Sequence, residues 1–251
     1  VDGYVTFISP DGSRQIATSY FGTSGDDIIY GIQFDKFGFP YIMGTTTVAW
    51  PVINSPFNSG GNQASGKQFI SKLQPDLTQF LYSANFGTST GSFPNISPTA
   101  FLISNCEQIY FSGWGSVIGV GNNGSTQGLE ITSDAHQKNT DNNDFYLLAL
   151  KKDAKNLIYA SYFGGNLSED HVDGGTSRFD KRGVIYQSVC SSCPNNPPGL
   201  NDFPTTPNAV FKNNVSVRCS NASFKLDFRL GYSVDATFSA SPTTICLGKT
   251  N

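Results

Sequence analysis

Short runs in which apolar and polar residues alternate recur along the chain, each bounded by Gly, Asp, Asn or Pro. A period of two marks a half-buried strand, and the bounding residues are turn formers. Three segments repeat one pattern: Tyr4 to Gly22, Phe69 to Gly87 and Tyr146 to Gly164. At matched positions they carry an aromatic (Tyr4, Phe69, Tyr146), an apolar residue (Ile8, Leu73, Leu150) and an Asp (Asp11, Asp76, Asp153). A second apolar residue follows (Ile16, Leu81, Ile158) before the closing Gly. Each copy reads as a hairpin whose polar turn, such as Pro10-Asp11-Gly12, draws its geometry from Asp and Gly. The closing Gly lets the chain leave the strand without a Cβ clash.

A second hairpin alternates with the first. Phe34-Asp35-Lys36-Phe37-Gly38 leads into Tyr41, Phe179-Asp180-Lys181-Arg182-Gly183 leads into Tyr186, and a shorter version runs from Phe101 to Gly113. Two alternating hairpins make a four-stranded unit of the size of a propeller blade. Strands are expected at 4–8, 15–21, 28–34, 40–46, 67–74, 79–86, 98–104, 108–114, 144–151, 156–163, 172–179, 184–189 and 222–229. The predicted fold is all-β: a β-propeller of four-stranded antiparallel blades, present as an incomplete arc of three to four blades. Its divisions are a partial blade (1–22), two full blades (23–87 and 88–164) and a last blade (165–232). The expected long loops are 50–66, 114–143 and 190–221. An arc leaves blade faces uncovered, so further blades are expected before Val1, with an upstream strand completing the last blade.

Composition agrees with this reading. Of 251 residues only 14% are charged and 13% are aromatic, with 26 Gly and 13 Pro, a balance poor in helix formers. A net charge of −3 with scattered Lys and Arg excludes a nucleic-acid groove, which needs clustered positive charge. No run is long and apolar enough for a membrane helix, so no transmembrane segment is expected. Abundant Asn, Ser and Thr with five Cys suit an exported protein in which disulfides persist.

Three motifs carry a family resemblance: Tyr20 to Asp27 (Tyr-Phe-Gly-x-x-Gly-Asp-Asp), Asp35 to Gly44 (Asp-x-x-Gly-x-x-Tyr-x-x-Gly) and Asp202 to Ala209 (Asp-Phe-Pro-Thr-Thr-Pro-x-Ala). In these the chain resembles the bacterial seven-bladed β-propeller repeat family, SBBP, over about residues 4 to 229. The members it looks like carry a cysteine-bearing loop in the last blade and belong to large surface proteins of Bacteroidetes. The resemblance implies a cell-surface, outer membrane-associated location, export by type IX secretion, and an adhesin or gliding-motility role. Residues 233–251, with Asp235 to Pro242, resemble a linker and the opening of a PKD-type domain.

The candidate chemistry is sparse. Cys190-Ser-Ser-Cys193 with Cys219 invites a zinc reading, but structural zinc wants four ligands and the nearest histidine in sequence is His171. A disulfide is expected among Cys190, Cys193 and Cys219, with Cys219 bonded to one of the other two and one thiol left over. A Cys190–Cys193 bridge would be strained. Cys106 is expected as a lone buried thiol, and Cys246 as a partner in a following domain. Asp26, Asp27, Asp141 and Asp144 bring oxygen ligands together as calcium requires, without EF-hand spacing. Turn chemistry is the preferred reading there, and no cofactor is expected.

Only His136 and His171 could serve as catalytic imidazoles, and neither sits in a nucleophile motif. His136 parallels Val210 in a repeated loop slot. Glu is scarce, and Glu169-Asp170 parallels Asp26-Asp27 in the repeat, so a glycosidase carboxylate pair is not indicated. No enzymatic activity is expected. Trp50 and Trp114, at loop entries, are the candidate platform for a sugar or a protein partner. The expected function is a non-enzymatic binding or scaffolding module whose partner is a surface protein or a glycan. The alternatives are a carbohydrate-binding or glycan-processing propeller, and a docking component for outer-membrane secretion machinery.

Overall fold

The computed structural model describes residues 1–55, 57, 66–88, 91, 93–116, 124–173, 177–193, 201–214 and 216–228. The expected PKD-like segment and Cys246 lie outside these residues. The described chain is all-β and antiparallel. β1 (Gly3–Ile8) and β2 (Gln15–Phe21) form a two-stranded sheet. β3 (Asp27–Phe34), β4 (Pro40–Thr46), β5 (Gln68–Leu73) and β6 (Phe80–Phe86) form a four-stranded meander in chain order. β7 (Ser97–Ile103), β8 (Ile109–Trp114), β9 (Phe145–Leu150) and β10 (Leu157–Phe163) form a second one.

The last sheet departs from the expected pattern. Its first strand is split into β11 (Glu169–His171) and β12 (Ser177–Phe179), both paired with the long β13 (Val184–Cys193). β14 (Ser220–Asp227) pairs with the opposite edge of β13. The expected strand at 172–179 is therefore shorter and preceded by a separate piece. Residues 190–193, expected in a loop, continue β13. The two pieces follow different registers on β13, with His171 opposite Cys190 and Ser177 opposite Gln187.

The repeated turns explain why these residues become hairpins. In β3–β4 the Asp35 carboxylate accepts the N–H groups of Phe37 (2.9 Å) and Phe39 (3.0 Å). In β12–β13 the Asp180 carboxylate accepts those of Arg182 (2.8 Å) and Val184 (3.1 Å). In β7–β8 the Ser104 hydroxyl takes the same place and accepts the Gln108 N–H at 3.2 Å. Each turn needs one left-handed residue, supplied by Gly38 (φ 85°), Gly183 (φ 82°) or Glu107 (φ 59°). In the other hairpin type, Asp11 and Asp76 bind the N–H two residues on, at 3.1 Å each. The third copy differs: Asp153 itself adopts φ 58° within a 3-10 turn at Lys152–Ala154.

The four sheets stack face to face in chain order. Val5 and Phe21 of the first sheet pack with Ile42, Phe69 and Trp50 of the second. Met43, Ile70, Tyr82 and Phe86 of the second pack with Phe101, Phe111 and Tyr146 of the third. Phe145, Leu147 and Tyr159 of the third pack with Ile185, Val189 and Phe228 of the fourth. Alternate side chains of one strand thus serve two different cores, which is why β4, β5, β8 and β9 are buried on both faces. The sheets also meet along their first strands: β7 lies against β3 on one side and β12 on the other. Gln187 ties β13 to the neighbouring sheet, donating to Thr99 Oγ1 and accepting from Ser112 Oγ.

The outermost surfaces are less well covered. Tyr4, Ile8, Ile16 and Tyr20 on the first sheet, and Ile32 and Phe34 on β3, are exposed. Among the described residues no helix is long and apolar enough to cross a membrane.

Candidate functional site

The connections fall into two sets. The turns already described lie at one end of the sheets, whereas β2, β4, β6, β8, β10 and β13 end at the other, where the connections 22–26, 47–67, 87–96, 115–144, 164–168 and 194–219 leave the strands. This second end carries the buried Asp144 and Asp170 carboxyls and the sulfurs of Cys190, Cys193 and Cys219.

The turn after each closing Gly is held by one acceptor. Asp27 accepts the N–H of Thr23 at 2.5 Å, Asn95 that of Thr88 at 2.8 Å, and Asp170 that of Gly165 at 2.6 Å. The closing glycines leave no room for a side chain: a methyl on Gly22 would overlap Asp2, one on Gly87 Gln68, and one on Gly164 Asp144. Asp27, a calcium candidate in sequence, is thus a turn clamp. Asp26 is exposed and pairs with the Val1 ammonium at 3.0 Å.

Asp141 and Asp144 belong to a buried acidic group. Asp144 is fully buried, and burial first, then the neighbouring Asp141 charge, pushes its carboxyl up to about 7. Burial, with Asp144 and Asp202 nearby, pushes Asp170 up to about 8. Asp141 is also raised, mainly by burial. Asp144 Oδ2 accepts from Gln137, while Asp144 Oδ1 is buried without a hydrogen-bond partner. Asp170 is better satisfied: its second oxygen accepts the Ser192 N–H at 2.9 Å, joining the 164–168 turn to the end of β13. Asp202 accepts the N–H groups of Asn166 and Leu167 and the Ser168 hydroxyl.

Cys190, Cys193 and Cys219 gather at the same end, whereas Cys106 lies in the 104–108 turn at the other. Cys193 is bonded to Cys219, and Cys190 is a free, half-buried thiol. Of the two pairings left open for Cys219, the fold adopts the one with Cys193. Burial, followed by the charges of Asp173 and Glu169, raises the Cys190 thiol above its ordinary value. Cys106 is disulfide-bonded, which overturns the expectation of a lone thiol. Buried His171 stands opposite Cys190 in the β11–β13 register, its Nδ1 3.7 Å from Cys193 Sγ and 3.7 Å from Glu169 Oε1. Glu169 also accepts the Ser116 hydroxyl at 2.8 Å.

The two tryptophans are not surface features. Trp50 is 2% exposed, lies flat on Phe69 with ring centroids 3.6 Å apart, and donates its N–H to Ser71 and Ser83. Trp114 is 6% exposed and packs against the His171 ring. Neither offers a free face for stacking a sugar, a correction to the platform expected from their positions at loop entries. Both rings are buried because a large apolar ring gains more by burial than by exposure: Trp50 from the segment after β4, Trp114 from the end of β8 itself. His136 lies in the 115–144 connection with its ring against Phe163 and its N–H donated to the Tyr159 hydroxyl.

His171 is the site residue that sequence reasoning undervalued. The turn at Asp180 could not have found it, since extending its register would set His171 opposite Cys193, whereas the separate β11 pairing sets it opposite Cys190.

No protein-family model matches this chain, and no curated protein is found to be similar to it.

Proposed function

We propose that the chain is an arc of a β-propeller of the SBBP-like kind, acting as a non-enzymatic binding or scaffolding module of an exported cell-surface protein. The observation that carries this reading is the order of packing. Sheets built to one plan stack face to face in chain order, and the first strand of each four-stranded sheet adjoins that of the next. Radial repetition of meanders produces that order in a propeller. The exposed Tyr4, Ile8, Ile16 and Tyr20 form the row that another blade would cover. The Cys193–Cys219 disulfide suits an oxidising, extracellular setting.

The partner contacts the end of the sheets that carries the long connections, because loops on a rigid scaffold are where binding residues concentrate. Type IX export and an adhesin or gliding-motility role follow from the resemblance of the Tyr20–Asp27, Asp35–Gly44 and Asp202–Ala209 motifs. Protease shaving of intact producing cells tests the location. Release of peptides from residues 1–228 supports the surface reading, and their recovery only from the cytosol overturns it. A glycan array tests the ligand class: specific saccharide binding would replace the protein-partner reading with the carbohydrate-binding alternative.

A further inference from the structure

His171, Cys190 and Cys193 place one nitrogen and two sulfurs within 4.8 Å of one another. Cys219 adds a third sulfur, since it is already bonded to Cys193. These four side chains are the donor set of a structural zinc site, Cys3His, in which sulfurs 2.3 Å from the metal stand about 3.8 Å apart. We propose that they form a zinc site whose occupancy excludes the Cys193–Cys219 disulfide: the bond ties Cys219 to β13 when oxidised, and the metal does so when reduced.

The backbone is arranged for this. Cys190 and Cys193 are three apart on a strand, where regular alternation would send their side chains to opposite faces. The left-handed Ser192 (φ 50°) breaks that alternation, and its N–H is fixed by Asp170 at 2.9 Å. The β11–β13 register sets His171 beside Cys190, while Trp114 packs on the imidazole. Glu169 stands next to His171, and its charge favours a cation at this place.

The chemistry balances with a dithiol as reductant. Two electrons and two protons from the dithiol cleave the Cys193–Cys219 bond to two thiols, and the dithiol closes to its own disulfide. Zinc then replaces the protons of Cys190, Cys193 and Cys219 and binds neutral His171, releasing three protons to solvent. Uptake is therefore steeply favoured by rising pH.

The test uses the full chain, reduced with a dithiol, freed of it without oxygen and titrated with cobalt(II). One equivalent should bind with thiolate-to-cobalt charge transfer and the visible bands of a tetrahedral site, and zinc should displace it. The oxidised chain should show neither. Cys190→Ser keeps the disulfide partners, and His171→Gln keeps a polar side chain at the same place. Each should weaken cobalt binding by about 10-fold or more, a loss at least as large as removing a supporting group. No cobalt uptake by the reduced chain overturns the assignment, folded or not, because the metal must itself hold Cys219 to β13. Uptake unchanged in both variants overturns it as well.

Discussion

The Lys72 ammonium lies 2.8 Å from the Asp35 carboxylate, both side chains nearly or fully out of solvent. Lys72 projects from β5 to the β3–β4 turn, passes over the Phe39 and Tyr41 rings, and reaches Glu107 at 3.5 Å across to the next sheet. Glu107 in turn accepts from Lys152 at 2.8 Å. This chain of charges links the short turns of adjacent sheets. Burial pushes the Asp35 carboxyl up, but the hydrogen bonds from Lys72, Phe39 and Phe37 outweigh it and hold it below its ordinary value.

Lys72→Met should therefore destabilise the fold by about 3 kcal/mol, since it leaves the buried Asp35 carboxylate without its cation, while Glu107 keeps Lys152. Adding Asp35→Asn to that variant should recover part of the loss. Urea midpoints of the two single variants and the double variant measure the coupling.

Stability should fall as pH rises from about 4 to about 8. Asp144 and Asp170 keep their protons up to about 7 and about 8 in the folded chain, whereas an unfolded Asp releases its proton near 3.8. Between those values the folded chain binds more protons than the unfolded one, so each rise in pH favours unfolding, at about 1.4 kcal/mol per pH unit for each such group. The two carboxyls interact, and the drop belongs to the pair. Asp144→Asn removes the ionisation at nearly constant shape. It should raise stability at pH 8 by a few kcal/mol and flatten the profile, as read from denaturation midpoints at pH 5 and pH 8.

Gly44→Ala should cost about 3 kcal/mol or more, because a methyl there overlaps the Ile28 carbonyl oxygen and meets the Phe69 ring at 2.5 Å. Gly38→Ala has open space and suffers only the left-handed φ of 85°, a smaller cost of about 1 kcal/mol. Comparing the two melting temperatures separates crowding from backbone conformation.

Trp50→Phe leaves the stack on Phe69 but removes the indole N–H from Ser71 and Ser83. A loss of about 1–2 kcal/mol is expected, because those two hydroxyls still bond each other at 2.7 Å. The wild-type tryptophan emission should be blue-shifted and resist acrylamide quenching, since both indoles are buried.

The hairpins were legible because their turns are local: Asp11, Asp35, Asp76 and Asp180 each bond N–H groups within four residues. The exposure of Trp50 and Trp114 was misread because position near a loop does not show what packs on a ring: Trp50 lies on Phe69, and Trp114, the last residue of β8, meets His171 of the next sheet. The break between β11 and β12 was hidden in the apolar–polar alternation, which counts residues and not hydrogen bonds. Cys106 was misread for a related reason, since proximity in sequence does not reveal a bonding partner. The His171–cysteine group was hidden for the same reason as that break: β11 pairs with β13 in a register of its own, which the turn at Asp180 does not set.

An up-and-down meander sends alternate connections to opposite rims, and here the economy differs sharply between them. Turns such as 35–39, 104–108 and 180–183 are fixed by their own backbone bonds, so an inserted residue there would shift the pairing of a whole sheet. At the far rim the longer connections, 47–67, 115–144 and 194–219, join strands without a shared tight turn, so they tolerate insertion where the clamped turns 22–26 and 164–168 do not. Evolution is thus free to rewrite mainly the long connections of one rim, and lineages sharing this scaffold should diverge there while their cores stay superimposable.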